Sequence, residues 1–230
     1  MSMLTARPNV IVFATGEEEY GHGGSGFKTM VLNSRMGSSV LDANIVAGIS
    51  NYENGGIRQK CDDLGVPFEF RPKGFTSDWY QYMMEKYKAD YAMCSGWLKY
   101  VKGINPSRVL NIHPGLFPWT KGLWGDAVHL RAIELFEAGE TATTGLTIHF
   151  VTWKENDPDK TEYDNGPVAC QKLIYMEKGD DLKKIKERVN SAEHVMQSMI
   201  LDLVVHGRIY YHEGKVRVQD YQLKRFLGLN

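Results

Sequence analysis

Asn111 and His113, two residues apart, are the side chains of this chain best suited to proton-transfer chemistry at neutral pH. They close an apolar run, Val109–Ile112, that predicts a buried strand, and alternate residues of a strand point to the same side. A histidine can take up and return a proton near pH 7, and an asparagine amide can donate to a developing oxyanion. The spacing therefore predicts a catalytic pair, although a structural, hydrogen-bonded Asn–His pair would produce the same pattern.

Asp164 is the candidate third member of this site. It stands in the sequence Tyr163-Asp164-Asn165-Gly166-Pro167. A carboxylate beside His113 would orient the imidazole and raise its pKa, because an opposite charge favours the protonated form. Asp-Asn-Gly-Pro is also a natural turn sequence, so a turn without catalytic function is the alternative interpretation. His149, within Thr147–Val151, is interpreted as a core or cross-strand histidine.

A glycine-rich loop, Gly21–Gly26, follows the first apolar run. It satisfies G-x-G-x-x-G only formally, because the second run ends in Ser50-Asn51 without the acid that would bind an adenosine ribose. A phosphate site is the better prediction, since Gly24, Ser25 and Gly26 open a helix whose backbone N–H groups and serine hydroxyl can hold an anion. An ordinary flexible loop is the alternative.

The elements that must position these residues alternate in type along the first half. Strands are predicted at Val10–Ala14, Ile45–Ser50, Phe68–Arg71, Tyr91–Cys94 and Val109–Ile112. Helices are predicted over about residues 26–36, 56–64 and 77–88, with a weaker one after Leu98. Strands separated by helices indicate crossover connections and a parallel sheet.

The second half changes character. A helix is predicted at Asp126–Ala138, strands at Thr144–Trp153 and Val168–Met176, and a long helix at Asp181–Val205. A hairpin follows, with strands Arg208–Tyr211 and Lys215–Val218. We therefore expect one α/β domain over residues 1–230: a Rossmann-like, mostly parallel sheet flanked by helices, with a long C-terminal helix and a small hairpin.

Composition excludes several classes of function. The 230 residues carry 27 Lys and Arg against 28 Asp and Glu, too little positive charge for a nucleic-acid partner. The longest run without a charged residue, Thr141–Trp153, is shorter than the roughly 20 residues that cross a bilayer. No secretory signal is recognised, and three scattered cysteines predict neither a disulfide framework nor a metal site, so a cytoplasmic protein is expected.

Several motifs together resemble the folate-dependent formyltransferases, and among them the branch that formylates phosphoribosylglycinamide in purine biosynthesis. The resemblance extends from Val10 to about Gly207, in the order of that family. The motifs are Ser95-Gly96-Trp97-Leu98-Lys99, Leu110-Asn111-Ile112-His113-Pro114, Thr144–Val151 with its T-G-x-T-x-H pattern, Asp164-Asn165-Gly166-Pro167-Val168, Arg188-Val189 and Ala192-Glu193-His194.

The resemblance implies the formyltransferase fold and a reaction through a tetrahedral intermediate. A formyl group would pass from 10-formyltetrahydrofolate, as co-substrate, to the amine of 5′-phosphoribosylglycinamide, without a metal. Asn111 would stabilise the oxyanion, His113 would shuttle protons between the attacking amine and the folate leaving group, and Asp164 would hold His113.

The resemblance also implies the binding residues. The substrate phosphate would bind at Gly24, Ser25 and Gly26, and the ribose hydroxyls near Glu193. The folate would bind Leu98, Lys99, Tyr100, Val101 and Asn111, and the loop Lys154–Asp164. Residues 9–112 would form a nucleotide- and phosphate-binding half, 113–207 a folate-binding and catalytic half, and 208–230 a C-terminal hairpin and tail.

Departures from the family pattern leave the amine acceptor open. Gly26 replaces an asparagine, Gly115 replaces a serine, Asp78 and Trp79 stand nearest to where an arginine is usual, and the loop before Asp164 is longer. An N-formyltransferase for another amine, such as an amino-sugar nucleotide, is the alternative. A catalytically silent folate- or nucleotide-binding module and an NAD-dependent oxidoreductase are further hypotheses. The expected partners are small molecules, neither nucleic acid nor membrane, and no oligomeric state is indicated.

Overall fold

The computed structural model describes residues 6–19, 22–36, 40–157 and 163–226. The chain divides into two compact units, Met1–Val109 and Leu110–Asn230. Gly21, the first glycine of the predicted phosphate loop, and residues 158–162 of the predicted folate loop lie outside the described residues.

Parallel strands alternate with helices in the first unit. The strands are β1 (Asn9–Phe13), β2 (Asn44–Ser50), β3 (Phe68–Phe70) and β4 (Tyr91–Ser95), and the helices are α1 (Ser25–Arg35), α2 (Gly56–Leu64) and α3 (Ser77–Lys86). The strand order is β3-β2-β1-β4, with every pair parallel. This order is that of one half of a Rossmann-type sheet, as the alternation in the sequence predicts.

Buried apolar residues and local caps explain these elements. Residues 10–13 of β1 are fully buried, as expected for a strand covered on both faces. Helix α3 begins where the Thr76 hydroxyl accepts a hydrogen bond from the backbone N–H of Trp79. Helix α2 ends at Gly65, which takes the left-handed conformation that glycine adopts without strain.

The predicted weaker helix after Leu98 is wrong. Residues 98–105 form no helix, and only a 3₁₀ turn follows at Pro106–Arg108. Gly103 adopts a φ of 82°, and Pro106 disfavours helical backbone at the residue before it, so a continuous helix is interrupted twice. The segment keeps an irregular, non-helical backbone.

The second unit is built on antiparallel strands. They are β5 (Val109–His113), β6 (Thr143–Phe150) and β7 (Val168–Tyr175), in the order β5-β6-β7. A helix, α4 (Asp126–Glu137), lies between β5 and β6 in the sequence. The two strands predicted for the second half are confirmed, and their hydrogen-bonded register aligns the residues of the candidate site.

The long helix and hairpin predicted at the C-terminal end are also confirmed. Helix α5 (Leu182–Val205) packs on β6, β7 and α4, and its N-cap Asp181 accepts a hydrogen bond from the backbone N–H of Lys184. The last described elements are β8 (Ile209–His212), β9 (Lys215–Val218) and α6 (Tyr221–Phe226). Strands β8 and β9 pair antiparallel with each other.

Neither a membrane-spanning helix nor a cluster of metal-ligating side chains occurs among the described residues. None of the helices there is long and apolar enough to cross a membrane. Within the same residues, no group of three or more His, Cys, Asp or Glu side chains is arranged to hold a metal ion.

His129, buried on α4, makes the stability of the protein depend on pH. Burial lowers its pKa to about 4, and its Nδ1 has no hydrogen-bond partner among the described residues. Because an unfolded histidine titrates near 6.5, the unfolded state binds more protons between pH 4 and 6.5, and stability falls as the pH is lowered through this window. In His129→Leu we expect the loss of unfolding free energy between pH 6.5 and 4 to be about 1–3 kcal/mol smaller. Urea unfolding across this range tests the prediction, and parallel curves for the two proteins would contradict it.

Candidate active site

The strand register of the second unit brings four polar side chains to one face. Asn111 and His113 of β5 lie opposite His149 and Thr147 of β6. Alternate residues share a face, so all four side chains project together. The β6–β7 register shifts between Ile148 and His149, a bulge of the kind that re-aims side chains beside active sites. The predicted pairing of Asn111 and His113 on one face is therefore present.

Asp164 lies at the centre of this group. Its Oδ1 accepts a hydrogen bond from Asn111 Nδ2 at 3.2 Å and lies 3.4 Å from His149 Nε2. Its Oδ2 lies 3.5 Å from His113 Nδ1 and is buried without a hydrogen-bond partner of its own. Only 6% of Asp164 and 4% of His113 is exposed. One buried carboxylate therefore contacts two histidines and an asparagine.

Glycine packing fixes the loop that carries Asp164. Asp164 has a φ of 53°, the left-handed conformation that aspartate tolerates better than most residues. At Gly166, a Cβ atom would overlap the backbone carbonyl oxygen of Phe150 at the end of β6. The loop can therefore approach the strand only because residue 166 is glycine, and this close approach delivers Asp164 to the histidines.

Burial and neighbouring charges shift the pKa values of His113 and Asp164 in opposite directions. Burial lowers the pKa of His113 to about 4, although the Asp164 carboxylate acts to raise it. Burial alone would raise the pKa of Asp164, but His149 and His113 hold it below its usual value. The expected upward influence of Asp164 on His113 is thus present and is outweighed by desolvation. At neutral pH the site holds an ionised Asp164 and a neutral His113.

His149, predicted to be a core or cross-strand histidine, is buried and pairs across the strands with Asn111, and it also belongs to the candidate site. Its Nδ1 lies 2.9 Å from the carbonyl oxygen of Phe150, which can only accept, so Nδ1 carries a hydrogen. Asn111 Nδ2 lies 3.1 Å from His149 Nε2 and can only donate, so Nε2 accepts this hydrogen bond. The sequence does not tell which strand pairs with the T-G-x-T-x-H strand. Knowing that this partner is β5, with Asn111 opposite His149, would have revealed the contact.

The segment after His113 folds back onto the same group. Thr120 Oγ1 lies 3.1 Å from His113 Nε2, and Lys121 Nζ donates to Asn165 Oδ1. The backbone N–H of Gly122 helps to lower the pKa of Asp164. Thr120, Lys121 and Gly122 therefore contact His113, Asn165 and Asp164, respectively.

Phe117 completes the wall of the group. Its ring centroid is 5.1 Å from that of His113 and 5.4 Å from that of His149. Its backbone is held by Thr147 and Gln171, because the Phe117 N–H donates to Thr147 Oγ1 and Gln171 Nε2 donates to the Phe117 carbonyl. The aromatic ring therefore lies beside both imidazoles.

The predicted phosphate residues lie in the first unit, at the start of α1. Gly24 caps the helix with a φ of 71°, and Ser25 and Gly26 are its first two residues. A Cβ atom at Gly24 would overlap the Ile57 side chain, so this position requires glycine for both conformation and space. Lys60 packs beside it, and burial together with the charge of Lys28 lowers the pKa of the Lys60 ammonium. A helix N-terminus with two nearby cations suits an anion.

The predicted folate-binding segment also lies in the first unit, directly after β4. The Leu98 N–H donates to Thr15 Oγ1 at 3.1 Å, and the Tyr100 carbonyl accepts from the Tyr80 hydroxyl at 3.2 Å. Val101 is buried, Lys99 is half-buried, and the Leu98 side chain is 48% exposed. The backbone is thus anchored while an apolar side chain remains accessible.

Glu193, the predicted ribose-binding residue, lies on α5 of the second unit. Burial raises the pKa of its carboxyl group to about 7, although a hydrogen bond from Asn190 acts to lower it. The carboxyl group of this predicted ribose-binding residue therefore ionises near neutral pH.

These residues lie on an α/β fold that holds its polar cluster on one face of a sheet. The chain belongs to the formyl transferase family, whose model matches residues 9–201. It is 27% identical over 223 residues to "Phosphoribosylglycinamide formyltransferase, chloroplastic" of Arabidopsis thaliana, covering 91% of this chain and 70% of that protein. It is 29% identical over 144 residues to phosphoribosylglycinamide formyltransferase of Escherichia coli K12, covering 61% of each chain.

Solved structures show the same fold over nearly the whole chain. Glycinamide ribonucleotide transformylase 1 from Symbiobacterium toebii matches with a TM-score of 0.77 and 20% identity, covering 96% of this chain and 98% of its own. The α/β, Rossmann-like formyltransferase fold expected from the sequence is therefore confirmed.

The shifted carboxyl of Glu193 makes a testable contribution to stability. Since its folded pKa is about 7 and an unfolded glutamate titrates near 4.5, the folded state binds more protons in this window, and stability falls as the pH rises through it. Glu193→Gln removes this loss, so relative to wild type it should gain about 3 kcal/mol between pH 4.5 and 8.

Chemical denaturation at these two pH values measures the difference. Glu187→Gln, on the exposed face of the same helix, is the matched control. A Glu193→Gln difference that is constant with pH would show that Glu193 ionises as an ordinary surface carboxyl group.

Proposed function

We propose that this protein transfers the formyl group of 10-formyltetrahydrofolate to the amine of 5′-phosphoribosylglycinamide, a step of purine biosynthesis. The observation that carries the proposal is the buried cluster of Asn111, His113 and Asp164 in a chain of the formyl transferase family. The names of the Arabidopsis and Escherichia coli relatives support the glycinamide acceptor. The co-substrate supplies an activated formyl carbon and a nitrogen leaving group.

His113 carries the proton transfers in this proposal. Because it is neutral at neutral pH, it can accept the proton released when the amine attacks the formyl carbon. The same proton then passes to the departing folate nitrogen. The Asp164 carboxylate, 3.5 Å from His113 Nδ1, supplies the opposite charge while the imidazolium exists.

Asn111 stabilises the oxyanion. Its two amide hydrogens point to His149 Nε2 and Asp164 Oδ1, so donation to a substrate oxygen replaces one of these bonds. The bond to the charged Asp164 is the stronger type and fixes the amide plane. The bond to His149 is the one exchanged when the formyl oxygen develops charge.

The remaining predicted residues bind the two substrates. The start of α1, at Gly24, Ser25 and Gly26, holds the phosphate, and Glu193 holds the ribose hydroxyls. The folate contacts Leu98–Val101, partly through backbone groups, and Asn111. Residues 9–112 and 113–207 form the two binding halves, and residues 208–230 the hairpin and tail. No metal takes part, and the protein acts in the cytoplasm on small molecules alone.

Mass spectrometry of phosphoribosylglycinamide after incubation with 10-formyltetrahydrofolate and the purified protein tests the proposal. We expect the acceptor to gain one formyl group. His113→Ala should lower turnover by about 10²–10⁴-fold with the fold intact. His212→Ala, in the exposed hairpin, is the matched control and should leave turnover unchanged.

The products distinguish the alternatives. A formylated amino-sugar nucleotide, with phosphoribosylglycinamide unchanged, would replace the proposed acceptor. Formate without any formylated amine would replace transfer by hydrolysis. Near-normal turnover in His113→Ala would reject the role given to the histidine.

Asp164→Asn tests the carboxylate through the pH dependence of the reaction. The substitution removes the charge that favours protonated His113, so the pKa of the imidazole falls. The acidic limb of the kcat/KM profile should move to lower pH, by about one unit or more, while turnover drops. An acidic limb at its wild-type position would mean that Asp164 serves only the turn.

A further inference from the structure

Thr120 is a buried hydroxyl in direct contact with the proposed proton shuttle. Its Oγ1 lies 3.1 Å from His113 Nε2 and 3.0 Å from the carbonyl oxygen of Leu116. Only 2% of Thr120 is exposed. Thr120 belongs to none of the motifs identified in the sequence, and the proton transfers proposed for His113 do not involve it.

Hydrogen counting shows what this hydroxyl does in each state of His113. The ionised Asp164 carboxylate faces His113 Nδ1, so the neutral ring keeps its hydrogen on Nδ1. His113 Nε2 is then an acceptor, and the Thr120 hydroxyl must donate to it. The Leu116 carbonyl then still accepts the backbone N–H of Thr120, at 3.2 Å, so nothing buried loses its only partner. When Nε2 gains a proton, it becomes a donor, and Thr120 Oγ1 accepts from it while turning its own hydrogen to Leu116.

We propose that Thr120 is a positioning residue for formyl transfer, whose rotating hydroxyl partners His113 Nε2 in both protonation states. This inference rests on the proposed function. The bond to imidazolium is charge-assisted and is therefore stronger than the bond to the neutral ring. Thr120 thus favours the protonated His113 that forms during the transfer, from the side opposite Asp164.

The backbone provides room for this arrangement at Gly115. A Cβ atom on residue 115 would overlap both Oγ1 and Cβ of Thr120. Glycine at residue 115 therefore leaves room for the Thr120 side chain. The hydroxyl group is held in place by packing as well as by hydrogen bonds.

The charged and titratable groups around His113 come from three elements. Asp164 of the loop after β6 raises its pKa, and His149 of β6 and His129 of α4 lower it. None of these contacts Nε2 in the described residues, where Thr120 is the hydrogen-bond partner of that nitrogen. A change at Thr120 therefore alters the Nε2 side of the ring and leaves the Asp164 side in place.

Thr120→Val tests the proposal, because valine keeps the shape of threonine and removes the hydroxyl. We expect kcat to fall about 5- to 10-fold, because the hydroxyl also bonds the neutral ring and only the extra strength of the bond to imidazolium is lost, with KM changed less than about threefold. Thr120→Ser, which restores the hydroxyl, should recover kcat to within about threefold of wild type. Thr144→Val is the matched control, since Thr144 is an equally buried threonine of β6 whose hydroxyl has no partner.

Nitrogen NMR of the His113 ring gives a measurement that does not require activity. In Thr120→Val the Nε2 resonance should move toward that of an imidazole nitrogen without a hydrogen bond, and in Thr120→Ser it should stay near the wild-type position. An unchanged Nε2 resonance in a folded Thr120→Val would overturn the proposal, as would a kcat equal to wild type. If wild type does not formylate phosphoribosylglycinamide, the proposed function fails on its own, and the NMR comparison still decides the contact.

Discussion

The buried Asp164 carboxylate is the interaction on which the rest of the site depends. A carboxylate that is only 6% exposed is costly unless polar groups stabilise it, and here Asn111 donates to one oxygen while His113 Nδ1 faces the other. Removing Asn111 or His113 would take a polar partner from this buried carboxylate. The same burial that makes the carboxylate costly also keeps His113 neutral and ready to accept a proton.

Two structural constraints bring this carboxylate to the histidines. Antiparallel pairing of β5 with β6 places Asn111 beside His149, so two distant segments form one polar face. Gly166 then lets the loop of Asp164 lie against the end of β6, where a side chain would collide with the Phe150 carbonyl. The sheet and the turn thus serve chemistry that neither β5 nor the loop could perform alone.

Much of this arrangement is predictable from the sequence, because the spacing of apolar residues predicts buried strands and helices and turn-forming residues predict where the chain reverses. The strand at Val109–His113 and the long helix Leu182–Val205 follow from their apolar patterns, and Asn111, His113 and Asp164 from residue chemistry and family motifs. His149 and Thr120 could not be assigned, because their contacts depend on strand register and on a loop that folds back onto β5. The helix expected after Leu98 failed because Gly103 and Pro106 outweigh a weak amphipathic pattern.

The proposed proton transfers depend most on the charge state of the His113–Asp164 pair. A pH titration of the wild-type protein by NMR, observing the His113 ring nitrogens, measures this state directly. Because His113 is buried beside Asp164, we expect a neutral ring with its hydrogen on Nδ1 at pH 7 and protonation only near pH 4. A His113 that titrates near the ordinary value of about 6.5, or that carries its neutral hydrogen on Nε2, would contradict the proposed proton transfers.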